Sequence, residues 1–260
     1  MKKEAAILVV SFGTTHLDTL DKCIAQTERA IENVLDGHRV YRAFTSKTVI
    51  RRLEEKHGIR VNGVSDALAH IKADGFERIA VQPTLVMSGI EYDLLCREVE
   101  RAAIDAVVGR PLIEDDRDAN EIAGIIMEEN PLSEGEALVL MGHGTEHRAN
   151  WIYEKMQSIF CSAAYPAFVG TVEGTPTFED AVDALKNSGA KKAWLLPLMF
   201  VAGDHAKNDM AGDGKNSLLS LVHTANIEAK PILRGLGESE AVRRIYVART
   251  MEALARAEER

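Results

Sequence analysis

The sequence predicts an α/β protein of two similar domains, each a four-stranded parallel sheet flanked by helices, on three observations. Apolar, strand-like runs alternate with helix-period patterns along the whole chain, and four of the runs recur in the same order in both halves. Many of these runs end beside a glycine, as strands do where they open into loops. In a parallel sheet those ends share one rim, where ligands bind and distant residues converge.

The first strand and its turn, AILVVSFGTTH (Ala6 to His16), match ALVLMGHGTEH (Ala137 to His147), both closing on GTxH. VQPTLVMSGIE (Val81 to Glu91) matches LLPLMFVAGDH (Leu195 to His205), with Pro83 over Pro197 and Gly89 over Gly203. RPLIE (Arg110 to Glu114) echoes KPILR (Lys230 to Arg234), and VYRAFTS (Val40 to Ser46) echoes FVGTVEG (Phe168 to Gly174). Between the strands, Leu17, Leu20, Ile24, Ile31 and Leu35 fall at helical spacing, as do Ile152, Met156, Ile159 and Phe160. Strands alternating with helices imply right-handed crossovers. The first domain is expected over residues 1–127 and the second over 128–260, with Glu128 to Glu136 as linker. The last helical stretch, Ser239 to Glu259, is expected to pack back on the first domain.

The 260 residues can bury a substantial core, and 46% hydrophobic with 27% charged residues is ordinary for a globular protein. A net charge of −9 argues against nucleic-acid binding, which needs a basic surface. The longest early apolar stretch, Ala5 to Val10, is too short for a signal h-region, and nothing approaches a membrane span. Cys23, Cys96 and Cys161 are scattered and lack CxxC pairing, so a disulfide framework is not expected and a cytoplasmic location is.

Three residues at strand ends of the second half carry the chemistry: His143, Glu173 and His205. Two imidazoles and a carboxylate suit a borderline divalent metal with positions left open for substrate. Taken singly each has a plainer reading: a turn histidine, a first-turn carboxylate and a loop histidine. Three on one sheet rim argue together. The repeat puts Phe12, Thr45 and Glu91 at the matching places, so the metal chemistry is expected in the second copy alone. His147 reads as a first-turn residue, matched by His16. Asp204, Asp209 and Asp213 lack EF-hand spacing and read as caps or turn residues. SFGTTH and GHGTEH lack the GxGxxG and P-loop patterns, so no dinucleotide site is inferred.

MGHGTEHRAN, GTVEG and PLMFVAGDHAKNDMAGD, with VSFGTTH and RAFTS in the first half, closely resemble the anaerobic cobalt chelatases, class II chelatases related to ferrochelatase. The resemblance runs over essentially the whole chain. It implies two similar Rossmann-like domains with the active site in an interdomain cleft. It further implies insertion of Co(II) into sirohydrochlorin or a close tetrapyrrole precursor, with release of two protons, in anaerobic cobalamin biosynthesis. Co(II) is then a substrate, and no organic cofactor is expected. His143 becomes metal ligand and proton acceptor, and Glu173 and His205 complete the metal site. Ser11, Phe12 and Glu91 are expected to contact substrate, and Arg42, Lys47 and Lys207 to meet its carboxylates. A homo-oligomer is expected, without nucleic acid or membrane. The sequence departs from relatives at Leu85, where some carry histidine, and after MAGD, where this chain continues GKNSLLS. Rival readings are an iron or nickel chelatase, a non-haem iron oxygenase, and a carrier that binds metal or tetrapyrrole without inserting.

Overall fold

The computed structural model describes residues 5–259. Its first sheet runs through β1 (Ala6–Ser11), β2 (Val40–Phe44), β3 (Asn62–Gly63), β4 (Arg78–Pro83) and β5 (Asp105–Val108), all parallel, in the order β3-β2-β1-β4-β5. Every residue of β1 is buried, as a central strand covered on both faces requires. The crossovers are helical. α1 (Leu17–Thr19) continues through a π-helical stretch, Leu20–Ala25, into α2 (Gln26–Val34). α3 (Lys47–His57) starts on a Ser46 cap and stops at Gly58, whose left-handed backbone ends it. α4 (Val64–Ala73) and α5 (Ile90–Arg101) complete this half.

The second sheet has the order β7-β6-β8-β9, again all parallel, from β6 (Glu136–Gly142), β7 (Ala167–Thr171), β8 (Lys192–Pro197) and β9 (Glu228–Pro231). Its helices are α6 (Asp116–Glu129), α7 (Trp151–Ser162), α8 (Phe178–Ser188) and α9 (Leu218–Thr224). Thr177 and Asp180 form a reciprocal capping box at the start of α8. Ala137, Val139, Met141, Ala193 and Leu195 from the sheet meet Ala181, Val182 and Leu185 of α8 in one apolar core. The closing helix α10 (Glu240–Glu258) returns to the first sheet, packing on β4, β5 and α2.

Three expectations change. The first sheet has five strands, not four; the extra one, Asn62–Gly63, is too short for any periodicity to reveal. The chain divides between Glu114 and Asp115 and again between Leu236 and Gly237, not near Met127. Helix α6, assigned by sequence to the first domain, lies against α7 in the second unit. Its periodicity reveals which face is apolar and not which sheet receives that face. The echo of RPLIE in KPILR is out of register, for β9 pairs Pro231 with Leu195 whereas β5 pairs Val108 with Val81, and Pro111 lies beyond β5. No helix among the described residues is long and apolar enough to cross a membrane.

Candidate functional site

β6 ends at Gly142, and that glycine leaves room for a ring: a Cβ there would lie 2.1 Å from Tyr153. His143 follows, exposed, and then Gly144 at φ +80°. A Cβ on Gly144 would fall 1.3 Å from the Glu173 carbonyl oxygen. Only a glycine permits this approach of the two strand ends, as its backbone angle also demands. The loops are tied together besides: Val172 N–H donates to Gly142 O (3.1 Å) and Glu173 N–H to His143 O (2.7 Å). Asn150 bridges them, accepting from Thr145 N–H (3.0 Å) and donating to Thr175 O (2.7 Å).

From the third strand end, β8, the chain runs through Gly203 to His205, which opens a π-helical turn, Ala206–Met210. This places the two imidazoles edge to face with ring centroids 4.7 Å apart. His143 Nδ1 lies 2.9 Å from Gly144 O, and His205 Nδ1 lies 2.7 Å from Asp209 Oδ2. A carbonyl and a carboxylate can only accept, so both Nδ1 atoms carry hydrogen, which leaves Nε2 as the ligating atom of either ring in its neutral form. Two neighbouring imidazoles are a donor type that suits a borderline divalent cation.

Glu173 does not join them as a third side chain. Its backbone meets His143, but its carboxylate is exposed, and no group of three His, Cys, Asp or Glu side chains among the described residues is gathered closely enough to hold a metal. The structure thus brings together the histidine pair and leaves the expected carboxylate on the neighbouring loop.

The sequence matches the model of the family "Cobalt chelatase (CbiK)" over residues 5–255. It is 37% identical over 258 residues to the sirohydrochlorin cobaltochelatase of Salmonella typhimurium, covering 98% of this chain and 97% of that one. The chain belongs to the cobalt chelatase (CbiK) family. It is also 32% identical over 241 residues to the sirohydrochlorin cobaltochelatase CbiKC of Nitratidesulfovibrio vulgaris, covering 90% and 85% of the two chains. SirB from Bacillus subtilis, solved with Fe3+, shares the fold with a TM-score of 0.64 at 15% identity over 99% of this chain and 98% of that one.

In this cobalt chelatase family member the other expected residues lie as follows. Lys207 is half-buried, two residues past His205. In the first unit Phe12 is 45% exposed at the end of β1, Glu91 sits in the first turn of α5, and Lys47 is exposed at the start of α3. Ser11 is buried with its hydroxyl 2.8 Å from that of Thr84. Arg42 is engaged as well: its guanidinium grips both carboxylate oxygens of buried Glu28, with Nε to Oε1 at 2.7 Å. The Glu28 carboxylate holds the Arg42 pKa above its usual value, so the charge belongs to that pair. Leu85 is half-buried and its carbonyl accepts from Tyr246 Oη and Leu112 N–H. His147 caps the turn Arg148–Asn150 through its own Nδ1.

Sequence reasoning missed Tyr153 and Asp209. The Tyr153 hydroxyl accepts from Gly144 N–H (3.2 Å), and burial pushes its pKa up, keeping it a neutral prop beneath the His143 turn. Asp209 was read as a capping residue; its place four residues after His205 was the available signal.

Proposed function

We propose that this protein inserts Co(II) into sirohydrochlorin in anaerobic cobalamin biosynthesis, with His143 and His205 as the metal-handling pair and Glu173 as a third ligand. The observation that carries the reading is the pairing of two imidazoles, both engaged through Nδ1, at adjacent strand ends of a cobalt chelatase family member.

Insertion exchanges two pyrrole N–H protons for one divalent cation, so the site must present the metal and accept protons. A neutral imidazole can do either through the same Nε2, but not both at once. Metal held at the pair is released to the ring nitrogens, and the Nε2 of His143 so freed is available for one pyrrole proton and that of His205 for the other. Glu173 reaches the pair by moving its side chain; its backbone is already fixed to His143. Lys47 and Lys207, exposed or half-buried, are the basic side chains suited to the carboxylates of the tetrapyrrole. The protein works as a homo-oligomer in the cytoplasm.

The test is incubation of purified protein with metal-free sirohydrochlorin and Co(II), followed by absorption spectroscopy. A catalytic conversion to the cobalt product is expected. Binding of metal and ring at one equivalent without turnover would instead identify a carrier. Parallel assays with Fe(II) and Ni(II) set the metal preference.

A further inference from the structure

Resting on the reading of His205 as a cobalt ligand, we propose that Asp209 is its positioning residue: the carboxylate holds the imidazole in the Nδ1–H tautomer, so that the bare Nε2 is the atom offered to the metal. The contact is direct, His205 Nδ1 to Asp209 Oδ2 at 2.7 Å. An ionised carboxylate has no hydrogen to give, so the proton of this bond resides on Nδ1. Imidazole ligates only through a ring nitrogen without hydrogen, and a carboxylate partner on the opposite nitrogen fixes both tautomer and ring orientation.

The local fold is built around this pair. Ala206 and Met210, the residues that follow His205 and Asp209, are fully buried. They anchor the π-helical turn, which is closed by Ala211 N–H to Ala206 O at 3.2 Å. Anchoring both following residues turns His205 and Asp209 outward together, with side chains 44% and 41% exposed. The pair has no counterpart in the other half of the duplication. There Glu91 occupies the matching position, and four residues later comes Leu95, buried in the core. The carboxylate accompanies the imidazole and is absent where the imidazole is absent.

Because water reaches both groups, the effect lies at the lower end of the range for such partners, about 10-fold in metal affinity. The experiment compares wild type with Asp209→Ala, Asp209→Asn and His205→Ala. In metal-free protein, long-range proton–nitrogen correlation spectra of the imidazoles should show His205 in the Nδ1–H form. Asp209→Ala should lose that preference, whereas Asp209→Asn, whose carboxamide oxygen can still accept, should retain most of it. Calorimetric titration with Co(II) should show about 10-fold weaker binding for Asp209→Ala, a smaller loss for Asp209→Asn, and unchanged melting for both. In turnover the KM for cobalt should rise while kcat at saturating cobalt stays near wild type. Wild-type His205 protonated on Nε2, or wild-type cobalt affinity in Asp209→Ala, overturns the proposal. If His205→Ala is impaired while Asp209→Ala is not, only this proposal falls; if His205→Ala binds and inserts cobalt normally, the ligand reading falls and takes the proposal with it.

Discussion

After β1 the chain turns through Phe12, Gly13 and Thr14; after β6 it turns through His143, Gly144 and Thr145. Both glycines have positive φ, +98° and +80°. In both turns the threonine hydroxyl accepts from the backbone N–H two residues on, Thr14 from His16 at 3.2 Å and Thr145 from His147 at 3.1 Å. The neighbouring strand end is stitched on in the same way, Ser46 N–H to Phe12 O and Glu173 N–H to His143 O. One backbone cradle has therefore been built twice, and the two copies differ in the side chains they present. Phenylalanine, serine and glutamate stand where histidine, glutamate and histidine stand in the second copy. Chemistry here is carried by substitutions on a shared frame, not by a special frame.

The comparison is broken most directly at its centre. His143→Ala should lower kcat/KM for insertion by at least about 100-fold, the usual scale for a lost proton acceptor, with circular dichroism and melting unchanged because the residue is exposed. Phe12→Ala, the matched change, should raise KM for the tetrapyrrole without abolishing turnover. Wild-type activity in the His143 variant removes the asymmetry between the halves.

The two glycines sharpen it. Gly144→Ala drives a Cβ onto the Glu173 backbone, whereas Gly13→Ala meets side chains alone, the buried Phe44 ring at 2.6 Å and Val49 at 3.0 Å. Thermal unfolding should show a loss of about 3 kcal/mol or more for the former and about 1 to 2 for the latter. Only Gly144→Ala should also disturb cobalt binding. Equal effects would mean that the closeness of the two loops does not matter to the site.

Tyr153→Phe leaves the Gly144 N–H without its acceptor at the foot of the His143 turn. It should cost about 1 to 2 kcal/mol in denaturant unfolding and lower kcat several-fold. Arg42→Ala should have the smallest effect on insertion. It strands the buried Glu28 carboxylate and should cost about 2 kcal/mol of stability, between exposed and buried pairs, while KM for sirohydrochlorin stays put. A raised KM would return Arg42 to the substrate site.

The duplication could be read because strand ends leave durable marks, Gly and Pro at fixed offsets from apolar runs, and His143 and His205 stand out at such marks. Register could not be read as well. The sequence alignment set Thr45 against Glu173, but Ser11 pairs with Phe44 as Gly142 pairs with Thr171, which puts Ser46 in that place. Strands covered on both faces are apolar without alternation and look alike when slid by one, so only the hydrogen-bond ladder fixes the match. The engagement of Arg42 by Glu28 was invisible because those residues lie on different elements, and a basic residue near a strand end looks the same whether paired or free. The same limit hid Tyr153, whose hydroxyl reaches the His143 turn from the first turn of α7, beside core-facing Ile152.

The return of α10 to the first sheet also orders events during synthesis. Val247, Ala253, Leu254 and Ala257 share one core with Ala5, Ile7, Val9, Ile31, Ala80 and Val107. That core cannot close until the ribosome has released the end of α10. The second unit, residues 115–236, is continuous and has all its strands earlier. On the nascent chain the half bearing the histidine pair can reach its native packing while one face of the older half still waits uncovered, and this interval is where chaperone capture and aggregation compete for the protein.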